Sequence, residues 1–166
     1  MWRDHNNTAS PMHRIGPVKP RRPRVWHLVF RAAYAFLRLI DPLLRWTWFS
    51  VGLGITSRLT VKGRQTGRER SVLVGLIRIG GHWYVGHPNG EVAWTANLRS
   101  EPRARIAPRP EAPLDVVAQP LVDGPERDAA IHAACEQQPF PANLLYSAAR
   151  HYIMREGRYF RLEPIA

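Results

Sequence analysis

The hydrophobic and polar positions divide the chain into three stretches of different rhythm. From Met1 to Arg24 polar residues and prolines predominate, and Arg14, Lys19, Arg21, Arg22 and Arg24 make the end of the stretch basic. So little apolar surface cannot offset the entropy lost on ordering, and a disordered basic arm is expected over 1–24. From Val25 to Ile55 apolar residues crowd together, with Trp26, Leu28, Val29, Phe30, Tyr34, Phe36, Leu37, Leu39 and Ile40 in quick succession. Their density predicts helix, forming an amphipathic segment over 25–57. Asp41 before Pro42 has the form of an N-cap followed by a proline at the first helical position, so two helices with a bend between them are expected. Arg24, Arg31, Arg38 and Arg45 recur at every seventh position, which lays one cationic stripe along that helical surface.

After Gly54 the rhythm shortens to alternation. Leu59 to Val61, Val72 to Ile79 and His82 to Val85 read as strands, and Gly80-Gly81 is a two-residue hairpin signal. A helix follows over Ala93 to Ser100, stopped by Pro102. Arg103 to Ala107 and Leu114 to Val122 read as strands joined through the proline-rich stretch Pro108 to Pro113. Gly124-Pro125-Glu126 opens a helix to about Gln137, Ala142 to Tyr152 reads as another helix, and Arg158 to Leu162 as a last strand. Strands joined by short connections argue for an antiparallel sheet or barrel with attached helices, an α+β fold, and against a doubly wound parallel sheet.

The chain is 166 residues long, one domain by the rule of about 150 residues each, with a terminal extension. At 45% hydrophobic and 22% charged residues it is not a wholly disordered chain. The net charge of +11 changes the picture more, because it points to an anionic partner: phosphates, polycarboxylates or lipid head groups. The single cysteine, Cys135, excludes an internal disulfide, fits a reducing compartment, and in its alanine-rich helix reads as a small core residue. The histidines lack the spacing of a zinc helix, so no metal is assigned. Arg31 and Arg38 interrupt the apolar run that a membrane span or export signal would need. The helical segment is instead read as lying on the inner face of a membrane, with its arginines toward lipid phosphates, on a cytoplasmic protein. The other reading packs its apolar face on the domain or on another subunit, and different faces can do both.

The segment of densest chemistry is Lys62-Gly63-Arg64-Gln65-Thr66-Gly67-Arg68-Glu69-Arg70, between two strands. Glycines let backbone N–H groups approach an anion, a threonine adds a hydroxyl donor, and arginines grip phosphate oxygens in pairs. A basic hairpin turn, with glycines serving backbone geometry alone, is the other reading. The segment lacks the Gly-Lys-Ser/Thr of a nucleotide P-loop and the Gly-x-Gly-x-x-Gly of a dinucleotide site. A non-enzymatic basic module that binds nucleic acid or membrane through the arm and this segment is an alternative, but no aromatic residue is interleaved with the cations, so no nucleic-acid partner is expected.

This loop, the Gly80-Gly81 hairpin, and Trp94-Thr95-Ala96-Asn97-Leu98-Arg99-Ser100-Glu101-Pro102 together resemble the deazaflavin-dependent nitroreductases and quinone reductases. The resemblance runs from about Leu59 to Ile106 and continues weakly to Pro164. It implies a split β-barrel of the FMN-binding kind over 58–166, with flanking helices and the helical extension before it. It also implies coenzyme F-420 (8-hydroxy-5-deazaflavin) as cofactor, with FMN as the alternative, and a hydride passed to a lipophilic acceptor such as a quinone or nitro compound. By the resemblance Arg64, Thr66 and Arg70 are phosphate ligands on the Gly63 and Gly67 loop, and Lys62 and Arg68 attract the coenzyme's polyglutamate end. Trp94 and Asn97 match the family helix, Trp94 either walling the ring site or filling the core. Tyr146 is the candidate proton donor, Tyr152 the alternative, and a packing tyrosine the third reading. His87 either orients an acceptor or is a solvated loop residue. The chain departs from the family in its short Gly86-His87-Pro88-Asn89-Gly90-Glu91 connection, in Leu73 where proline is common, and in a longer tail after Tyr146.

Overall fold

The computed structural model describes residues 25–33, 35, 56–108, 111–138, 140 and 142–165. A first helix, α1, covers residues 25–33. There follow β1 (Thr56–Lys62), β2 (Glu69–Ile79), β3 (His82–His87), α2 (Ala93–Ser100), β4 (Arg103–Ala107) and β5 (Leu114–Pro120). The chain ends with α3 (Pro125–Gln137), α4 (Ala142–Ala148), α5 (Arg150–Glu156) and β6 (Arg158–Pro164). The six strands close into an antiparallel barrel in the order β1-β2-β3-β6-β5-β4, which is the architecture the alternating pattern and the resemblance both implied. The basic arm over 1–24 and the bend at Pro42 lie outside the described residues.

Alternation sorts the side chains. In β1, Ser57, Leu59 and Val61 are buried while Thr56, Arg58 and Lys62 are exposed, as expected of a strand with one face on a core. Leu59, Val61, Val74, Leu76, Val85, Ile106, Val116, Phe160 and Leu162 fill the barrel, and Leu98 from α2 joins them. A second cluster lies on the other face of β2, β3 and β6: Ile77, Tyr84 and Tyr159 pack with Ala130, Ile131, Ala134 and Cys135 of α3 and with Tyr152 and Ile153 of α5. Phe30 of α1, 1% exposed, completes it. Gly80 and Gly81, at φ 55° and 87°, form the tight β2–β3 hairpin in a conformation other residues resist.

Several element boundaries differ from expectation, among them the start of β2 at Glu69 and the ends of β3 at His87 and β6 at Pro164. The helix expected over Ala142 to Tyr152 is two helices. Ala149, 1% exposed and at φ −88° and ψ 4°, stands between α4, which has no buried residue, and α5, which buries Tyr152 and Ile153. The turn at Ala149 brings the apolar side of α5 onto the barrel, and no glycine or proline marks it. β1 begins at Thr56, inside the stretch assigned to the helical extension, and β5 stops at Pro120, two residues short of Val122.

The registers fix which loops share an end of the barrel. Lys62 pairs with Glu69, Val61 with Ala104, Arg103 with Val117, Pro120 with Phe160, and His87 with Arg158. One end therefore carries the β1–β2 loop, the β3–α2 connection and the β5–α3 connection, while the Gly80-Gly81 hairpin sits at the other. β2 also outruns β3. Their ladder stops at Leu76 paired with Val85, so Glu69 to Gly75 is paired with β1 but has no strand partner on its β3 side.

Gly86 faces Tyr159 across the β3–β6 ladder, and a Cβ placed on it would stand 2.2 Å from the Tyr159 ring. The tyrosine lies over the glycine and covers the backbone. Gly86→Ala is expected to lower stability by about 1–3 kcal/mol through overpacking, seen as a lower urea midpoint with an unchanged slope.

Candidate functional site

The β1–β2 loop is a rigid turn. The Gly63 N–H donates to the Arg68 carbonyl at 2.8 Å and the Gly67 N–H to the Gly63 carbonyl at 2.7 Å. Gly67 sits at φ 65°, where a side chain would be strained, and a Cβ on Gly63 would press on the Arg68 carbonyl and Thr66 Oγ1, each at 3.2 Å. Thr66 Oγ1 accepts the Arg68 N–H at 3.4 Å.

Arg64 ties this turn to α2. Its backbone N–H and its Nη1 both donate to Asn97 Oδ1, at 3.3 and 3.2 Å, and Nη1 also reaches the Ala93 carbonyl at 3.4 Å. Asn97 is only 6% exposed, so its carboxamide oxygen needs such donors. Lys62, Arg68 and Arg70 are exposed and make no ion pair among the described residues. Three exposed cations, with Glu69 the one carboxylate among them in sequence, thus flank the turn.

Thr95 caps α2 by accepting the Val92 N–H at 2.8 Å and donating to the Val92 carbonyl at 2.9 Å. Trp94 is half-buried against the barrel core, its ring 6.5 Å from that of Phe160 and 6.3 Å from that of His87. His87 is not a solvated loop residue. It ends β3, and burial pushes its pKa down to about 4, against the opposing pull of a backbone contact with Gly90. The Asn89 N–H donates to His87 Nδ1 at 3.2 Å, which leaves the proton of the neutral ring on Nε2.

Asn89, in the same connection, accepts at Oδ1 from His27 Nδ1 at 3.1 Å and from the Tyr152 hydroxyl. Neither His27 nor Asn89 stands out in the sequence; the one available signal was the turn dipeptide Asn89-Gly90, whose glycine adopts φ 75°. Tyr146 lies in the outer cluster on α4, with the edge of its ring on Phe30 at 6.0 Å. Of the two tyrosines considered, Tyr152 is the one whose hydroxyl meets the β3–α2 connection. A separate cleft of about 270 Å³, lined by Gln119 to Glu126 and Arg161, shares no residue with the basic turn. No metal-binding group of His, Cys, Asp and Glu occurs among the described residues.

A closed six-stranded barrel with one end dressed by a cationic turn and a capped helix defines the split-barrel class. The chain belongs to the F420H(2)-dependent quinone reductase family, whose profile matches residues 52–143, and is thereby an oxidoreductase. Among solved structures it resembles an F420-H2 dependent reductase, at 20% identity over 66% of this chain and 94% of that one, with a TM-score of 0.51. It also resembles a conserved hypothetical protein from Mycobacterium tuberculosis, at 16% identity over 70% and 76% of the two chains and a TM-score of 0.53. The heme storage protein HutZ from Vibrio cholerae matches at 17% identity over 69% and 84%, with a TM-score of 0.53. At these identities the likeness is one of fold. No curated protein matches the chain.

The neutral state of His87 sets a pH dependence. An unfolded histidine titrates near 6.5 and the folded one near 4, so between these values the unfolded chain binds more protons. Stability should fall as pH falls from about 6.5 to about 4 and level below that, by on the order of 3 kcal/mol in all. Denaturant midpoints across this range, compared with those of His87→Gln, check it: the variant should lose most of the slope.

Proposed function

We propose that the protein is a deazaflavin-dependent reductase that passes a hydride from reduced coenzyme F-420 to a lipophilic acceptor, a quinone or a nitro compound, at an anionic membrane surface. The observation that carries the reading is the set of exposed cations, Lys62, Arg68 and Arg70, which make no ion pair among the described residues and flank a turn held in place by Arg64 and Asn97. The donor set fits the coenzyme's polyanionic tail. Lys62 and Arg68 would meet its carboxylates, while Arg70, the Thr66 hydroxyl and the Arg64 guanidinium donors not used by Asn97 would take the phosphate. The side of Glu69 to Gly75 that has no strand partner and the half-buried Trp94 would flank the ring. A bound deazaflavin supplies hydride transfer, because carbon replaces the flavin nitrogen that permits one-electron steps.

The residues of this chain then have physical tasks. The rigid turn would bind the tail at little entropic cost, and Trp94 and His87 would exclude water from one side. Tyr146, in contact with Phe30, and Tyr152, whose hydroxyl proton rests on Asn89 Oδ1, are the candidate proton donors.

The membrane element rests on α1. Trp26 and Phe30 face the domain, whereas Val25 is 69% exposed, Leu28 60%, and Ala32 and Ala35 are exposed too. Val25, Leu28, Ala32 and Ala35 share one helical face by their spacing, with Arg31 beside them. Among the described residues no helix is long and apolar enough to cross a membrane, so the mode of attachment is peripheral. The full chain should co-sediment with vesicles containing anionic phospholipid, and Leu28→Asp should lower the bound fraction severalfold while leaving the fold intact. Equal binding by the variant removes the membrane element.

The central test is a fluorescence titration of the full chain with the deazaflavin coenzyme and, separately, with FMN. Saturable binding that prefers the deazaflavin is expected. Replacing Arg64 and Arg70 together with Ala should weaken it by about 2 kcal/mol or more, taking each as a charge-assisted bond. Unchanged affinity in that variant defeats the assignment of the turn, and preference for FMN defeats the choice of cofactor.

A further inference from the structure

We propose that Asn89 is a positioning residue through which α1 holds the coenzyme end of the barrel in its working shape; this rests on the assignment of the Lys62 to Arg70 turn as the coenzyme-binding loop. Asn89 lies in the connection between β3 and α2. A carboxamide oxygen has two acceptor sites, and both are filled: the first by His27 Nδ1–H of α1 at 3.1 Å, the second by the Tyr152 hydroxyl of α5. The backbone N–H of the same residue goes to His87 Nδ1 at the end of β3, at 3.2 Å. One side chain and its own amide thus join α1, α5, the end of β3 and the start of α2.

The groups that meet Asn89 are themselves fixed. Phe30, one turn along α1 from His27, stacks its face on Tyr152 at 6.0 Å with the rings 22° apart, and takes the edge of Tyr146 on its other flank. α1 therefore touches Tyr152 twice, directly through Phe30 and indirectly through the shared carboxamide. In the other direction the connection runs straight into α2, whose Trp94 packs against His87 and whose Asn97 holds both the backbone and the guanidinium of Arg64. The placement of the cationic turn and of the Arg64 guanidinium thus depends on where α2 sits. The position of α2 depends in turn on a five-residue connection, Pro88 to Val92, with Gly90 at φ 75°. Without the two donors from α1 and α5, the part-buried oxygen of Asn89 would turn to water and that connection would loosen.

A thermodynamic cycle on the full-length protein tests this, with variants His27→Ala, Asn89→Leu and the double variant. Two quantities are read: amide hydrogen exchange over residues 88–92 without coenzyme, and the dissociation constant for the deazaflavin coenzyme by fluorescence. Each single variant is expected to speed exchange in the connection and to weaken coenzyme binding about fivefold to tenfold, with the double variant no worse than the more affected single. Asn89→Asp, which keeps an oxygen acceptor at the same place, should restore most of the affinity. If Asn89→Leu does not fold, Asn89→Ala takes its place in the cycle. Wild-type exchange and affinity in His27→Ala, or additive losses in the double variant, overturn the proposal while leaving the coenzyme assignment standing. Absence of coenzyme binding by the wild type overturns that assignment instead, and the exchange data still decide whether α1 orders the connection.

Discussion

The arrangement of the site depends on the closure of the barrel, and in particular on the mismatch between β2 and β3. A closed antiparallel sheet leaves no edge, but β2 has eleven residues and β3 six, so their ladder ends at Leu76 and Val85. Beyond that point the upper part of β2 keeps its pairing with β1 and opens on its other side. The chain places α2 and the β3–α2 connection at this end, and the basic turn grows from the top of the same β1–β2 pair. The missing strand partner beside upper β2 is therefore a consequence of one difference in strand length, and the cations and Trp94 lie at the same end, with Asn97 tying turn to helix.

The excess of basic residues acquires meaning from how it is distributed. The acidic residues of the described part are largely engaged: Glu111 with Arg78, Glu91 with Arg99, Asp115 with Arg105, Glu126 and Glu163 with Arg161, and Asp123 with Arg127. Most of these pairs are exposed and contribute little to stability, about 0–1 kcal/mol each. Even the Arg105–Asp115 pair, which holds the Asp115 carboxyl below its usual range, lies in solvent. What such pairs do is neutralise cations elsewhere on the surface. At the β1–β2 turn the cations outnumber the carboxylates, Lys62, Arg64, Arg68 and Arg70 standing there with Glu69, and a field focused in one place draws an anion better than the same charge spread out.

The barrel was legible because its signals are local. Alternation in β1 to β3, the Gly80-Gly81 hairpin, and the Pro102 stop after α2 each act within a few residues, and Ala93–Ser100 was bounded correctly. The turn at Ala149 was not legible, since nothing in Ser147-Ala148-Ala149-Arg150 disfavours helix; the bend is imposed by burying Tyr152 and Ile153 against the barrel, a tertiary demand that overrides propensity. The site divides in the same way. The turn could be found by its composition, and its match to a family sharpened it. Arg64 resembles its neighbours in sequence, and only the fold sets it apart by turning it onto Asn97. His27 and Asn89 are 62 positions apart, and no periodicity connects a histidine on one helix to an asparagine in a later loop.

α1 has an inner and an outer apolar side, the two features that the rival readings of the sequence each require. Its apolar residues exceed what one helical face needs: Trp26 and Phe30 turn inward, yet Val25 and Leu28 remain outside. A helix that only packed on the domain would gain nothing from aliphatic side chains in water, and one that only lay on a membrane would have no use for a fully buried phenylalanine. Most of the stability of a helix comes from what its faces pack against. The inner face is anchored by Phe30 between two tyrosines, while the outer face, flanked by Arg31, is left with burial still to gain. The two faces are connected by the rigidity of the helix itself, so whatever covers the outer one acts on the same body that donates His27 to Asn89.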